Sequence, residues 1–164
     1  MNTSTYTFTY THTVTFVTDK LMQSLLKIIR WSGLNPTKLT ADWQDLSNAI
    51  KTWITSGHFE TAVLEVFDPK NPNGLVGRWD LNLAYDFDEA EMWTDIEAIK
   101  YAIAKAGLYS SGCDYRIVIS NKPGRPDVPG WGPTTFRSTA GLSKFSIGTM
   151  IGAGSLGGNT SYWR

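Results

Sequence analysis

Three side chains offer a ready nucleophile or base: His12, His58 and Cys113. None sits at a spacing with a mechanism, such as two histidines at i and i+4 on one helix. A thiol and an imidazole need only be adjacent in space to react together, so a small hydrolase using His58 or Cys113 is kept as a minor alternative. Nothing in the local sequence around Cys113 marks an activated thiol, and beside a strand it reads as a small core residue. The acidic run Asp86, Asp88, Glu89 and Glu91 lacks the spacing of a calcium loop and reads as a solvated loop. Gly152-Ala-Gly154-Ser-Leu-Gly157 has the letters of a dinucleotide fingerprint. That motif sets a pyrophosphate at the start of a helix, and only seven residues follow Gly157. No phosphate-loop pattern is present. The residues thus indicate no catalytic set, cofactor or metal, and the expectation is that the chain is not an enzyme.

What remains is the last quarter of the chain. Residues 122–164 hold nine of the 15 Gly and four of the seven Pro, including the run Lys122-Pro-Gly-Arg-Pro-Asp-Val-Pro-Gly-Trp131. They carry a net charge of +4, so residues 1–121 carry −4 and the whole is neutral. Such glycine and proline density normally marks a linker. Yet Trp131, Phe136, Phe145, Ile147, Met150, Ile151, Leu156, Tyr162 and Trp163 lie in it, and apolar side chains drive burial. The segment is therefore expected to be irregular but packed. It either completes the core or forms a movable belt that repacks over a bound peptide.

The composition bounds the rest. A chain of 164 residues with 41% hydrophobic residues is about one domain with a real core. Zero net charge argues against a general nucleic-acid or membrane-surface binder. One Cys excludes a disulfide scaffold. No apolar run reaches the ~18 residues of a membrane span. The first ten residues lack the basic and apolar regions of a signal peptide, so a cytoplasmic location is expected.

Element by element, residues 3–18 alternate Thr with Tyr6, Phe8, Tyr10, His12, Val14 and Phe16, a strand-like period of two. Val14, Val17, Leu21, Leu25 and Ile28 overlap it with a helical stripe. The helix is expected to end near Ser32, before Gly33, and to begin between Thr9 and Thr18. A second helix is expected over residues 40–56, capped by Thr40 and stopped by Gly57. A hairpin follows over residues 59–67 and 75–85, with turn residues between. Thr94-Asp-Ile-Glu97 has the form of a capping box and predicts a helix to about Ala106, stopped by Gly107. Residues 115–120 read as a strand. The order gives an α+β fold, with three helices packed on a mainly antiparallel sheet.

This order resembles the HORMA domain over nearly the whole chain. More specifically, the sequence is similar to the bacterial HORMA proteins encoded beside the CBASS anti-phage systems, which signal through nucleotide second messengers. The residues that carry the likeness are 10–19, Ala49-Ile-Lys-Thr-Trp-Ile54, Gly77-Arg-Trp-Asp80, the run 122–131, Arg137-Ser-Thr139 and Ser161-Tyr-Trp-Arg164. The run 122–131 is the most specific of these.

The resemblance implies one HORMA domain, with residues 1–121 as body and 122–164 as a C-terminal safety belt, and a first helix that starts near residues 9–11. It implies a binding switch. A closure-motif peptide would add as a strand to the edge at residues 115–120, on a site formed by Tyr115, Ile117, Ile119, Arg125, Trp131, Phe136 and Arg137. The closed form would dock on and activate a cGAS/DncV-like nucleotidyltransferase. A AAA+ remodelling ATPase would grip the N-terminal segment, at Thr3, Thr5, Tyr6 and Thr7, and reopen the belt. Self-association through the termini is compatible with this scheme. The alternative is a constitutive adaptor of the same fold whose belt stays locked, for example around Tyr162-Trp163. On the switch reading, a chain cut at Asn121 is expected to lose peptide binding yet leave a partly folded body.

Overall fold

A computed structural model of the chain describes the backbone of residues 3–164 and the side chains of residues 10–164. The first helix, α1 (Thr3–Trp31), runs for 29 residues, about 44 Å at ~1.5 Å per residue. Val14, Val17, Leu21, Leu25 and Ile28 on its predicted stripe are at most 1% exposed. The helix starts at Thr3 rather than at residues 9–11, so the period of two never becomes a strand. Once burial holds the helix from Val14 onward, each further residue adds a hydrogen bond, and the low propensity of Thr costs only tenths of a kcal/mol.

Gly33 (φ 88°), Gly57 (φ 77°) and Gly107 (φ 86°) end the three longer helices at the predicted places, in a conformation only glycine adopts freely. The second predicted helix is divided into α2 (Thr37–Ala41) and α3 (Trp43–Thr55). Thr40 is not its cap. Asn35 Oδ1 accepts from both Thr37 N (3.0 Å) and Thr37 Oγ1 (2.7 Å), which starts the earlier turn. Among the described residues there are therefore four helices, not three.

The hairpin forms as β1 (Phe59–Phe67) and β2 (Gly77–Ala84). The acidic stretch is not simply a loop: β3 (Glu89–Thr94) starts within it. The capping box does not form. Thr94 pairs with Ile151, Asp95 N donates to Met150 O at 2.7 Å, and α4 (Ala98–Ala106) begins after Glu97 without a side-chain cap. The next strand is β4 (Asp114–Asn121). The C-terminal quarter then departs from its irregular reading, because β5 (Lys144–Gly154) and β6 (Leu156–Trp163) make a second hairpin. The fingerprint-like glycines lie at its turn.

All strands pair antiparallel in one sheet of order β3-β5-β6-β2-β1-β4. The C-terminal strand β6 is interior, and β4 and β3 are the edges. Glycine suits β6 because neighbours fill the space: a Cβ on Gly157 would strike the Phe87 ring, and one on Gly158 would press on Ile151.

The register sorts side chains onto two faces. Phe145, Tyr162, Trp79, Leu64 and Ile117 form one row across the sheet. Tyr162 stacks between Trp79 (4.9 Å) and Phe145 (5.1 Å). This face carries the core against α1, α3 and α4. The neighbouring row, on the opposite face, is Lys144, Trp163, Arg78, Glu65 and Arg116. Among the described residues no helix is long and apolar enough to cross a membrane.

Candidate functional site

β4 has one strand neighbour, β1, and so one edge that no described strand pairs with. Two hydrogen bonds show which backbone groups face that edge. Tyr115 N donates to its neighbour Asp114 Oδ1 at 2.8 Å, and Lys38 Nζ donates to Tyr115 O at 2.8 Å. Neither group of Tyr115 is therefore in the ladder. Because the pattern alternates along an antiparallel strand, Ile117 and Ile119 also turn their N–H and C=O outward, while Arg116 and Val118 bond to β1. Lys38 and Asp114, themselves 3.3 Å apart, close the Tyr115 end against further pairing. The Tyr115 hydroxyl donates to Asn35 O at 2.6 Å and accepts from Leu39 N at 3.3 Å. Burial pushes its pKa up, which keeps it a donor.

From Asn121 the chain leaves the sheet as an arm, residues 122–143, that turns around this edge from the helical face to the other. On the helical face Trp53 holds it. Its indole N–H donates to Pro126 O at 2.8 Å, the Arg125 guanidinium lies 4.7 Å over its ring, and Trp131 packs edge-on at 5.5 Å. On the opposite face Glu65 holds it. This carboxylate is fully buried. It accepts from Arg116 Nε (2.5 Å), Arg137 Nη1 (3.1 Å) and the Arg137 backbone N–H (2.7 Å). Arg116 also donates to Thr135 O at 2.6 Å, Arg137 Nε donates to Pro72 O, and Phe136 lies 4.7 Å from the Arg78 guanidinium. Charge-assisted bonds of this kind are about twice as strong as neutral ones.

Between the arm and β4 lie two cavities. One of about 360 Å³ is lined by Leu39, Leu46, Tyr115, Ile117 and Trp131 among others. One of about 340 Å³ is lined by Trp53, Ile119, Arg125, Trp131 and Phe136 among others. Asn121 Oδ1, a buried acceptor with no hydrogen-bond partner among the described residues, belongs to a residue lining the second.

Of the residues singled out in the sequence, Tyr115, Ile117, Ile119, Arg125, Trp131 and Phe136 thus line this space, with Trp131 in both cavities. Arg137 lines neither and binds Glu65 instead. Thr3, Thr5, Tyr6 and Thr7 lie outside the described side chains. Sequence reasoning missed Glu65, Arg116, Trp53 and Lys38. The signal for Glu65 was a lone charge inside the apolar run 62–67, since charged residues are almost never fully buried unless paired. His58 and Cys113 do not meet. Each bonds a nearby serine, and they flank opposite ends of the β1–β4 pair, about 30 Å apart at ~3.3 Å per residue.

The sequence matches the family described as Bacterial HORMA domain 2 over residues 2–164. The chain belongs to this bacterial HORMA family. No curated protein matches it by sequence. Solved structures share the HORMA fold at low identity. A chain of the mitotic checkpoint complex is 9% identical, with TM-score 0.76, covering 92% of this chain and 97% of that one. C. elegans HTP-2 bound to the HIM-3 closure motif is 10% identical, with TM-score 0.61, covering 85% and 84%. The E. coli MS115-1 CdnC:HORMA-deltaN complex is 10% identical, with TM-score 0.57, covering 92% and 86%. At these identities the likeness establishes the HORMA fold alone.

Proposed function

We propose that this HORMA domain is a conformational switch that captures a closure-motif peptide on the outer edge of β4 and holds it under the arm. One observation carries the reading: beyond the closed Tyr115 end, the outward backbone groups of Ile117 and Ile119 face two cavities that the arm closes over. Strand addition draws affinity from backbone hydrogen bonds and specificity from alternate side-chain pockets. A peptide enclosed in this way leaves only when Trp53 and Glu65 release the arm, so dissociation is slow. The C. elegans HTP-2 structure, bound to a closure motif, supports this mode.

In this reading the body and belt divide near residue 121, and the peptide-bound form docks on and activates a cGAS/DncV-like nucleotidyltransferase in anti-phage defence. The E. coli CdnC:HORMA-deltaN complex supports that partner. Reopening falls to a AAA+ ATPase that grips the N-terminal segment, a step that rests on the family resemblance. The locked adaptor closed on its own Tyr162-Trp163 gains no support, since both residues pair with β2 within the sheet.

Proline tests the edge. Ile117→Pro removes an outward donor, and proline is tolerated on a strand edge. It is expected to weaken a fluorescently labelled peptide, selected from a displayed library, at least about tenfold while the protein still melts cooperatively. Val118→Pro, one residue on, removes a β1–β4 ladder hydrogen bond and is expected to lower the melting temperature far more than Ile117→Pro. Unchanged anisotropy titrations for a folded Ile117→Pro protein reject the β4 edge as the site.

A further inference from the structure

The space between β4 and the arm carries opposite charge at its two ends. At the Tyr115 end its lining includes Asp42 and Asp45, exposed at the start of α3. Neither carboxylate has an ion-pair or side-chain hydrogen-bond partner among the described residues. The cations there are engaged: Lys38 with Asp114 and Tyr115 O, Arg116 with Glu65. At the other end the lining includes Lys122 and Arg125 and no carboxylate. Lys122 sits 4.8 Å over the Tyr85 ring and Arg125 4.7 Å over the Trp53 ring. The acidic neighbour of Arg125 is Asp127, 3.8 Å away and fully exposed, a contact that solvent weakens. Ile117 and Lys122 are five residues apart, about 16 Å along a strand. That exceeds the ~8 Å screening length at physiological salt, so each end acts on its own charge.

Resting on the peptide-binding reading above, we propose that this polarity selects the partner by charge order. The fitting occupant is an extended peptide with a basic side chain at the Asp42/Asp45 end and an acidic one roughly five residues away at the Lys122/Arg125 end. Between them an apolar side chain packs on Ile117 and Trp131. An acidic first turn also suits the dipole of α3, and melting temperature reads that role separately.

The test is selection of random nine-residue displayed peptides against the full chain, followed by anisotropy with synthetic hits. Lys or Arg is expected at one position and Asp or Glu about five away. Asp42→Lys with Asp45→Lys reverses the first preference and leaves the second. Lys122→Glu with Arg125→Glu does the opposite. Each double reversal weakens the original peptide about tenfold, and the peptide with that one charge exchanged recovers the loss. Binders without a charge order, or with one that ignores the reversals, overturn this inference and leave peptide capture intact. A library that yields no binder overturns peptide capture as well.

Discussion

A chain that ends at Asn121 is expected to stay unfolded. The cut removes β6, which pairs with β2, and β5, the only strand that pairs with β3 among the described residues. It takes Met150, Ile151, Ala153, Leu156 and Tyr162 out of the core, where each is at most 5% exposed. At ~2 kcal/mol per large apolar side chain the loss approaches 10 kcal/mol, against a typical total of about 5–15 kcal/mol. The partly folded body expected from sequence therefore gives way to a chain without a cooperative melt in circular dichroism. Replacing residues 123–142 with a Gly/Ser linker of equal length keeps both strands. That protein is expected to melt cooperatively and to lose the captured peptide. A cooperative melt for the chain cut at Asn121 would contradict the structural role given to β5 and β6.

Glu65→Ala is expected to cost about 3–5 kcal/mol, the usual result of removing one partner from a buried ion pair. Two guanidiniums then face a protein surface without their carboxylate: those of Arg116 and Arg137, whose side chains are 31% and 21% exposed. The arm loses its hold on the sheet face, so the Arg137 amide, bonded to Glu65 Oε2, is expected to exchange with solvent much faster. Glu65→Gln keeps the shape and one acceptor and falls between the two. Arg137→Ala costs less than Glu65→Ala, because it leaves Glu65 paired with Arg116. Urea unfolding and hydrogen exchange measure these effects, and a loss under about 1 kcal/mol for Glu65→Ala would show that the pair does not anchor the arm.

Much of the frame was legible because local rules set it. The stripe from Val14 to Ile28 buries one face of α1 whatever the topology. Gly33, Gly57 and Gly107 stop helices because positive φ is cheap only for glycine. The turn-rich stretch before Gly77 joins two strands for similarly local reasons. Six of the seven residues assigned to peptide binding line one space, and that choice came from a family resemblance, not from spacing.

The rest depended on partners distant in the chain. Glu89–Thr94 is a strand only because β5 lies beside it, and the capping box fails because Thr94 is held by that pairing. The glycines of β6 contradict strand propensity until Phe87 and Ile151 fill their space.

By itself the sequence determined the main helical stretches, their glycine stops at Gly33, Gly57 and Gly107, the first hairpin and the presence of a basic, aromatic C-terminal segment, since each follows from side-chain periodicity or backbone sterics within a few residues. Only the tertiary structure decided that this segment splits into an arm and two strands, and that a single buried carboxylate and a single indole pin the arm around β4. Those outcomes come from contacts more than 60 residues apart in the chain, whose energies exist only once the sheet has assembled.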